Sequence, residues 1–587
     1  MGIVLAYGAP SFASVAIAIV MGIHLPVFYS DTVLVPLGAI ALVKAAVRAF
    51  DAVTDLPAGW LSDRTRTRWG RRRPWIAVGA PIAGVSFWLL FSPPEGLEGT
   101  AAIGWLGLTY GLFYLGHTAY IIPHYGLGAE LTEDYHERSR IFGWREGFVI
   151  VGTLVAAIVP PFLSDVLGGE RAAFAAFGSV TAVTLVLLYW NLVARVKERS
   201  DYAERPANPL VPGIRRALRN RVFRIVLLAH VVHAITAGIP PVIAPFFIKY
   251  VLMPENAGAL LGTYLAAYFG GGLLTLPAWL WIARTRGKRF AWLASMVPGF
   301  FGLLGMMLLG PGDENIAIGL AVLAGSGFGP AVFLVQSILA DVIDYDELHT
   351  GLRREAQYTA FWSFLQKFAV IPSASIPLAV LGASGFVPNA VQSETVQWTI
   401  RVMLGAAPAT IAVATFLIAL RYPLTQKAHE AIRAGIAAHE RGDDAPDPLT
   451  GQVLAPPLVG AESETGWFLD HFSSRELELI ERKELQRVRL RVVGATAAAV
   501  AVCVTSAVLG FRSLANWEQD PGISTVLWVV VAGISFSAII YHGIRTSAAL
   551  RLVREPPLPA AVAEHRVLVR GAWHPEPPGP KTPNATR

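Results

Sequence analysis

Four charged residues in KAAVRAFDAVTDLPAGW, residues 44 to 60, follow one another at spacings of 4, 3 and 4: Lys44, Arg48, Asp51 and Asp55. At about 100° per residue they fall on one helical stripe roughly 60° wide. The flanking sequence is apolar enough to sit in hydrocarbon, where an ionised side chain near the centre costs on the order of 3 kcal/mol. Four such groups facing lipid would cost roughly 10 kcal/mol together, so the stripe faces a polar cavity or its own members. Asp51 and Asp55, one turn apart, offer hard carboxylate oxygens at a spacing that grips a small cation such as Na⁺ or shares a proton. The same four residues also read as a self-neutralising ion network that locks the helix to its neighbours. The proline of DLP, which frees backbone groups beside the carboxylates, favours the ion site.

A fifth charge, Lys367, lies twelve residues beyond Glu355. That is about 18 Å along a helix, too deep for the side chain to reach the interface. It needs an anionic partner, and the two aspartates or a bound solute are the candidates.

Elements of membrane length must position these groups. The chain has 587 residues, 54% hydrophobic and only 15% charged, with a mean hydropathy of +0.49, beyond what a soluble surface tolerates. Apolar runs of about 20 residues predict helices near 7–29, 34–61, 74–92, 101–123, 142–163, 172–194, 222–248, 258–283, 290–310, 315–341, 356–381 and 397–421, with two more near 491–511 and 523–543. The first is expected to be a retained helix, since no basic residue precedes it and no small-residue cleavage site follows.

Loop charge orients the chain. SDRTRTRWGRRRP and the segment from Arg195 to Arg219 are strongly basic, ARTRGKR less so, whereas SPPEGLEGT and GPGDEN contain no Lys or Arg. By the positive-inside rule both termini are expected in the cytoplasm. Six spans, a basic linker and six more is the plan of a two-bundle transporter that rocks about a central cavity. The expected division is a first bundle over 1–195, a linker over 196–221, a second bundle over 222–422, a polar linker with an amphipathic helix over 423–488, a two-helix hairpin over 489–545 and a disordered cytoplasmic tail over 546–587. Within 423–488, KAHEAIRAGIAAHERG has helical spacing and DDAPDPLTGQVLAPP reads as a Pro-rich linker.

Other chemistries find little support. The single cysteine, Cys503, excludes an intramolecular disulfide and a cysteine metal cluster. There is no GxSxG and no phosphate loop, and His230 and His233 have no carboxylate in their span, so an enzyme is not expected. The net charge of +6 is concentrated in particular loops, which argues against nucleic acid.

Three stretches carry a resemblance: RAFDAVTDLPAGWLSDRTRTRWGRRRPW, PHYGLGAELTEDYHERSRIFGWREG and LADVIDYDELHTGLRREAQYTAFWSFLQK. Together, in this order and spacing, they resemble the glycoside-pentoside-hexuronide:cation symporter family of the major facilitator superfamily, over roughly residues 5–422. The resemblance implies an all-α membrane protein of two six-helix bundles, to which the two C-terminal spans would add for fourteen. It places the site for Na⁺, H⁺ or Li⁺ on Asp51 and Asp55, with Lys367 and Arg48 coupling that charge to the solute and no further cofactor. Tyr120, Ile121, His124, Tyr125, Arg145, Gln336 and Gln366 would line the substrate cavity. Asp341, Asp344 and Glu347 would meet the basic loops, with Asp63, Arg64 and Arg71, in a cytoplasmic gate.

The departures bear on the cargo. Galactoside carriers of the family hold a sugar with acids in the first and fourth helices. Here the first helix has no acid before Asp31, and Ile121 stands at the fourth-helix position. The expectation is a symporter of a glycoside-like or other polar organic solute, with a lysolipid or another amphiphile as the alternative cargo. The partners are a small-molecule substrate and the bilayer of a bacterial-type plasma (inner) membrane. The core is expected to be monomeric, with assembly through the C-terminal hairpin.

Overall fold

The computed structural model describes residues 2–132, 135–198, 210–352, 354–456, 464–515, 523–563 and 565–566. The first half contains helices α1 (Gly2–Gly8), α2 (Pro10–Val27), α3 (Leu37–Arg64), α4 (Arg73–Leu90), α5 (Gly99–Glu130), α6 (Tyr135–Val166) and α7 (Glu170–Arg195). After α8 (Leu210–Arg219), the second half contains α9 (Arg221–Phe247), α10 (Ala257–Arg286), α11 (Lys288–Gly305), α12 (Glu314–Ser326), α13 (Phe328–Thr350), α14 (Glu355–Ala383), α15 (Glu394–Arg401) and α16 (Ala407–Ala419). The remainder holds α17 (Gln426–Glu440), a minimal antiparallel pair β1 (Ala445–Pro446) and β2 (Val453–Leu454), then α18 (Glu464–Leu469), α19 (Ser474–Glu481), α20 (Leu485–Ala515) and α21 (Ile523–Arg554).

Local chemistry starts these helices where the chain turns. Asn220, Asn256, Ser393 and Thr425 each accept a backbone N–H in the first turn that follows, filling donors a helix cannot satisfy alone. The N-terminus of α4 receives an anion from elsewhere: Glu198 accepts the amides of Arg71, Arg72 and Arg73 at 2.8 to 2.9 Å, where the helix dipole is positive. Arg71, expected in a gate, is thus held at its backbone by the end of the first half. α4 and α5 approach closely because Gly116 faces Ala83: an added Cβ would stand 2.5 Å from the Ala83 nitrogen.

The halves repeat one device. α2 ends in a π-helical turn, Phe28–Thr32, and α9 in another, Ile248–Leu252. Each is followed by a left-handed residue, Leu34 at φ 63° and Met253 at φ 49°. This internal symmetry brings the two turns together. Asp31 accepts from Lys249 and, at 2.6 Å, from the Tyr250 hydroxyl, while the Asn389 side chain donates to the Asp31 carbonyl at 2.8 Å. At the same end Asn256 donates to Asp165 at 2.9 Å, joining α10 to α6. One apolar core runs through both halves here, including Phe28, Tyr29, Phe246, Phe247 and Leu381. Towards the opposite end Tyr125 and Trp144 are exposed. The bundles are therefore closed at the Asp31 end.

Several expected boundaries shift. Twelve helices among the described residues are long and apolar enough to cross a membrane; α3, with its stripe of charges, and α5 are not among them, so the expected fourteen is not reached by that measure. The fifth helix begins at Tyr135, well before 142, and the tenth breaks at Gly327 and then runs on to Thr350. Asp341, Asp344 and Asp346 on that extension are buried, so DVIDYDELHTG is packed helix and not a solvated turn. DDAPDPLTGQVLAPP is more than a linker: Asp447 is buried, accepts from the Leu449 amide, the Thr450 hydroxyl and Tyr345, and lies 3.4 Å from the His349 ring. Burial alone would raise its pKa, but these donors outweigh it and hold the carboxyl at about 2.

The region expected as a disordered tail over 546–587 is helical to Arg554, and Val562 is buried; residues 567–587 lie outside those described. The C-terminal segments share a separate core with Leu469, Phe472, Leu477, Ile480, Val488, Val492, Ala549 and Leu552. Asp470 ties it to α8 through Arg216 and, at 2.8 Å, Arg219, and to His565 at 3.1 Å. Burial would raise the Asp470 pKa, yet these three partners reverse the sign and hold it well below the carboxylate range.

α21 packs along α3 and also touches α14, so it lies across one helix of each half. The contact on α3 is close: a Cβ on Gly533 would stand 2.8 Å from that of Ala49. Gly533→Leu should lift α21 from α3 at about 1–3 kcal/mol of overpacking cost, seen as a lowered melting temperature of the purified protein. An unchanged melting temperature would show that the two helices are not seated on one another.

Candidate functional site

The stripe on α3 meets three other helices. α3 carries Lys44, Arg48, Asp51 and Asp55 in register; α5 supplies Tyr114, His117 and Thr118; α14 supplies Lys367; α2 supplies a carbonyl at Met21. The Lys367 ammonium lies 3.2 Å from Asp51 Oδ2 and also contacts Asp55 Oδ2. It thereby spans both carboxylates and joins the second half of the chain to the first. Thr118 Oγ1 lies 3.1 Å from Asp51 Oδ1 and 3.2 Å from Asp55 Oδ1, so the hydroxyl sits between the two acids. Arg48 donates to the Tyr114 hydroxyl at 2.6 Å, lies 4.9 Å from the centre of that ring, and reaches Asp51 Oδ2 at 3.7 Å.

Burial makes this arrangement consequential. Asp51 is 2% exposed and Lys44 is also 2% exposed, whereas the Arg48 side chain keeps 28% of its surface open. In a low-dielectric interior a charge is held by its partners or not at all. Asp51 and Asp55 have theirs in Lys367, Arg48 and Thr118. Two carboxylates one turn apart, with a hydroxyl already pointed at both, form an oxygen-rich cradle for a hard monovalent cation or a shared proton. Lys367 occupies the same oxygens in this conformer.

Thr118 is the group that sequence reasoning missed. Its signal is weak: it follows Tyr114 at i+4 on an otherwise apolar helix, and a helical threonine ordinarily turns its hydroxyl to its own backbone. Met21 carries no side-chain signal at all, because its contribution is a backbone carbonyl.

The expected cavity residues divide. Tyr125 is 51% exposed, and Arg145 lies over its ring at 5.3 Å while pairing with Glu146. These two border the open face. Tyr120 and His124 correct the expectation: both are fully buried inside the first half, and Ile121 is 7% exposed. Tyr120 packs on Tyr189 with ring centres 4.5 Å apart. His124 bonds the Tyr7 carbonyl at 3.0 Å and the Tyr189 hydroxyl at 3.3 Å. The His124 nitrogens and the Tyr120 ring serve helix packing, because α5 turns this face towards α1 and α7. Gln336 and Gln366 are exposed.

The gate residues are drawn elsewhere too. Lys288 donates to both Asp341 oxygens at 2.6 and 2.9 Å, and His429 on α17 lies 3.0 Å from Asp344 and 3.5 Å from Asp341. The partner of Asp341 in a basic loop is thus Lys288, within its own half of the chain. Glu347 lies on the same helix, α13. Asp63 and Arg64 fall at the end of α3, with side chains outside those described.

Residues 6–426 match the family model described as MFS/sugar transport protein. The uncharacterized symporter sll1374 of Synechocystis sp. is 25% identical over 530 residues, covering 75% of this chain and 97% of that protein. The glucuronide carrier protein homolog of Escherichia coli is 26% identical over 408 residues, covering 68% of this chain and 87% of its own. A solved structure of the nucleoside transporter NupG superposes with a TM-score of 0.52 at 13% identity, covering 71% of this chain and 99% of that one. At that identity the likeness establishes a common fold.

Proposed function

The chain belongs to the MFS/sugar transport protein family, among the glycoside-pentoside-hexuronide:cation symporters of the major facilitator superfamily, and from that premise we propose that Asp51 and Asp55 bind the coupling cation. It is a transporter and not an enzyme, an integral multi-pass membrane protein that couples a cation to a small organic solute. The observation that carries the ion site is the Lys367 ammonium resting on both carboxylates from the other half of the molecule. A cation entering between Asp51 and Asp55 replaces an internal ligand, so its arrival changes how α3 and α14 are held together. Only a ligand with different affinity for two conformers can shift their populations, and this exchange supplies such a difference.

The basic loops assign the end bearing Arg71 to the cytoplasm. The closed Asp31 end is then the outer one, and the conformer faces inward. The membrane is a bacterial-type plasma membrane, and the ion is Na⁺, H⁺ or Li⁺. Tyr125 and Arg145 border the inward path, and the solute is glycoside-like, as the name of the Escherichia coli relative suggests.

Protein reconstituted in vesicles should accumulate a labelled glycoside when a Na⁺ gradient or a pH gradient is imposed, and should only equilibrate it without one. Accumulation of a fluorescent lysolipid in place of every glycoside tried would move the cargo to the amphiphile class. Equal solute levels with and without either gradient would remove the cation coupling.

A further inference from the structure

α10 runs for 30 residues with no charge until Arg284 and Arg286 in its last turn, and after Gly287 α11 opens on Lys288 and Arg289. At 1.5 Å per residue α10 is about 45 Å long, more than about 30 Å of hydrocarbon. Its two arginines mark where it leaves the bilayer core. The four cations line a cleft of about 780 Å³ whose other walls are α13 and the start of α17. That is room enough for a small organic ligand.

Two carboxylates share the cleft. Asp341 is taken by Lys288 at 2.6 and 2.9 Å, and Glu430 accepts from the Gln426 side chain at 3.1 Å. Arg284, Arg286 and Arg289 form no ion pair among the described residues. Arg289 donates to the Leu420 carbonyl at 2.8 Å, and Arg286 lies 5.3 Å from the centre of the Phe290 ring. Neither contact supplies an anion. The carbonyl end of α10 and the amide end of α11 meet at Gly287, so their dipoles offset and the side chains set the sign of the cleft.

The cleft also has an apolar rim. Leu280 and Phe290 line it and are 38% and 45% exposed, and the neighbouring Trp281 is 67% exposed. On membrane helices such side chains meet acyl chains, and tryptophan prefers the headgroup level. A soluble anion would use the charge and leave the rim idle; a phospholipid uses both. We propose that this cleft binds an anionic phospholipid, with its phosphate among Arg284, Arg286 and Arg289 and its chains along the outer face of α10 and α11. The site lies apart from the stripe on α3 and requires only that the chain is an integral membrane protein. Because Thr425 and Gln426 belong to the wall, the headgroup fastens the segment that follows the second half to the turn between α10 and α11.

The test is a lipid titration of the delipidated full chain in uncharged detergent, read by native mass spectrometry. One phosphatidylglycerol should bind at least about 10-fold more tightly than phosphatidylcholine with the same chains. Arg284→Gln combined with Arg286→Gln should remove most of that preference, and each substitution alone should cost about 3-fold, which stays readable if the double variant does not fold. Arg68→Gln combined with Lys197→Gln, in other basic segments, should leave it unchanged. Equal affinity for the two lipids overturns the proposal, as does a preference untouched by both single substitutions or lost equally in the Arg68 and Lys197 pair. Excess inorganic phosphate should not displace the lipid; displacement would make the ligand a free phosphate and overturn the lipid assignment.

Discussion

Asp55→Asn will abolish ion-driven accumulation, lowering uptake under an imposed gradient at least about 100-fold while the protein still folds. Asp55 supplies one of the two carboxylates that Lys367 and Thr118 hold in common. An amide keeps the size of the side chain and an oxygen that can accept from Thr118 and Lys367, so the local packing has little reason to fail. What it lacks is the negative charge. A cation in a half-buried site is stabilised chiefly by that charge, worth about 4 kcal/mol at 4 Å and an effective dielectric of 20. Losing even 2.7 kcal/mol of it is a hundredfold in affinity. The measurement is solute uptake in reconstituted vesicles with a melting curve on the same preparation. Uptake that still follows the ion gradient, in a variant with a normal melting curve, would remove Asp55 from the ion site.

Lys367→Met should separate two properties that Asp55→Asn removes together. Lys367 contacts the same oxygens a cation would use, so it competes with the ion as well as linking it to α14. Without the ammonium the two acids are short of positive charge, and the affinity for Na⁺ or a proton should rise about 10-fold, a difference of 1.4 kcal/mol. Transport should nevertheless fall to a few per cent, because ion binding no longer changes a contact between the halves. An ion titration followed by thermal stability gives the first quantity and vesicle uptake the second. Unchanged ion affinity would mean that Lys367 does not compete for the carboxylates, and normal uptake that it does not couple.

Much of the helix order is legible because a run of about 20 apolar residues is its own signal. The ends are not, since a membrane helix can leave hydrocarbon and continue as a polar one. α13 shows why: its extension to Thr350 is stabilised by Lys288 and by His429 of α17, partners no local window contains. Asp447 is a similar case. DPLTG looks like loop sequence and is one, but the carboxylate anchors it against Tyr345 and His349 of a distant helix.

The site divides along the same line. Charges in an apolar run announce themselves, and so the stripe of α3 and Lys367 could be found without coordinates. Thr118 could not, being polar in a way most helices absorb unnoticed. The polar atoms of Tyr120 and His124 point to a cavity when the sequence stands alone, whereas the rotation of α5 turns these side chains to Tyr7 and Tyr189. A side chain's chemistry is written in the sequence; the side of the helix that faces the solute depends on which neighbours the helix has.

The seating of α21 across α3 and α14 makes the two flanks of this carrier unequal. Where two bundles rock against each other, each flank is a slot through which a hydrocarbon chain could slip sideways between cavity and bilayer. Here one slot is roofed by protein, with Gly533 down on Ala49, while the other, between α6 and α10, is joined by side chains such as Asn256 and Asp165 near one end. Any traffic with the lipid phase is therefore confined to the α6 and α10 flank, and a tailed solute would have to trail its chain on that side alone.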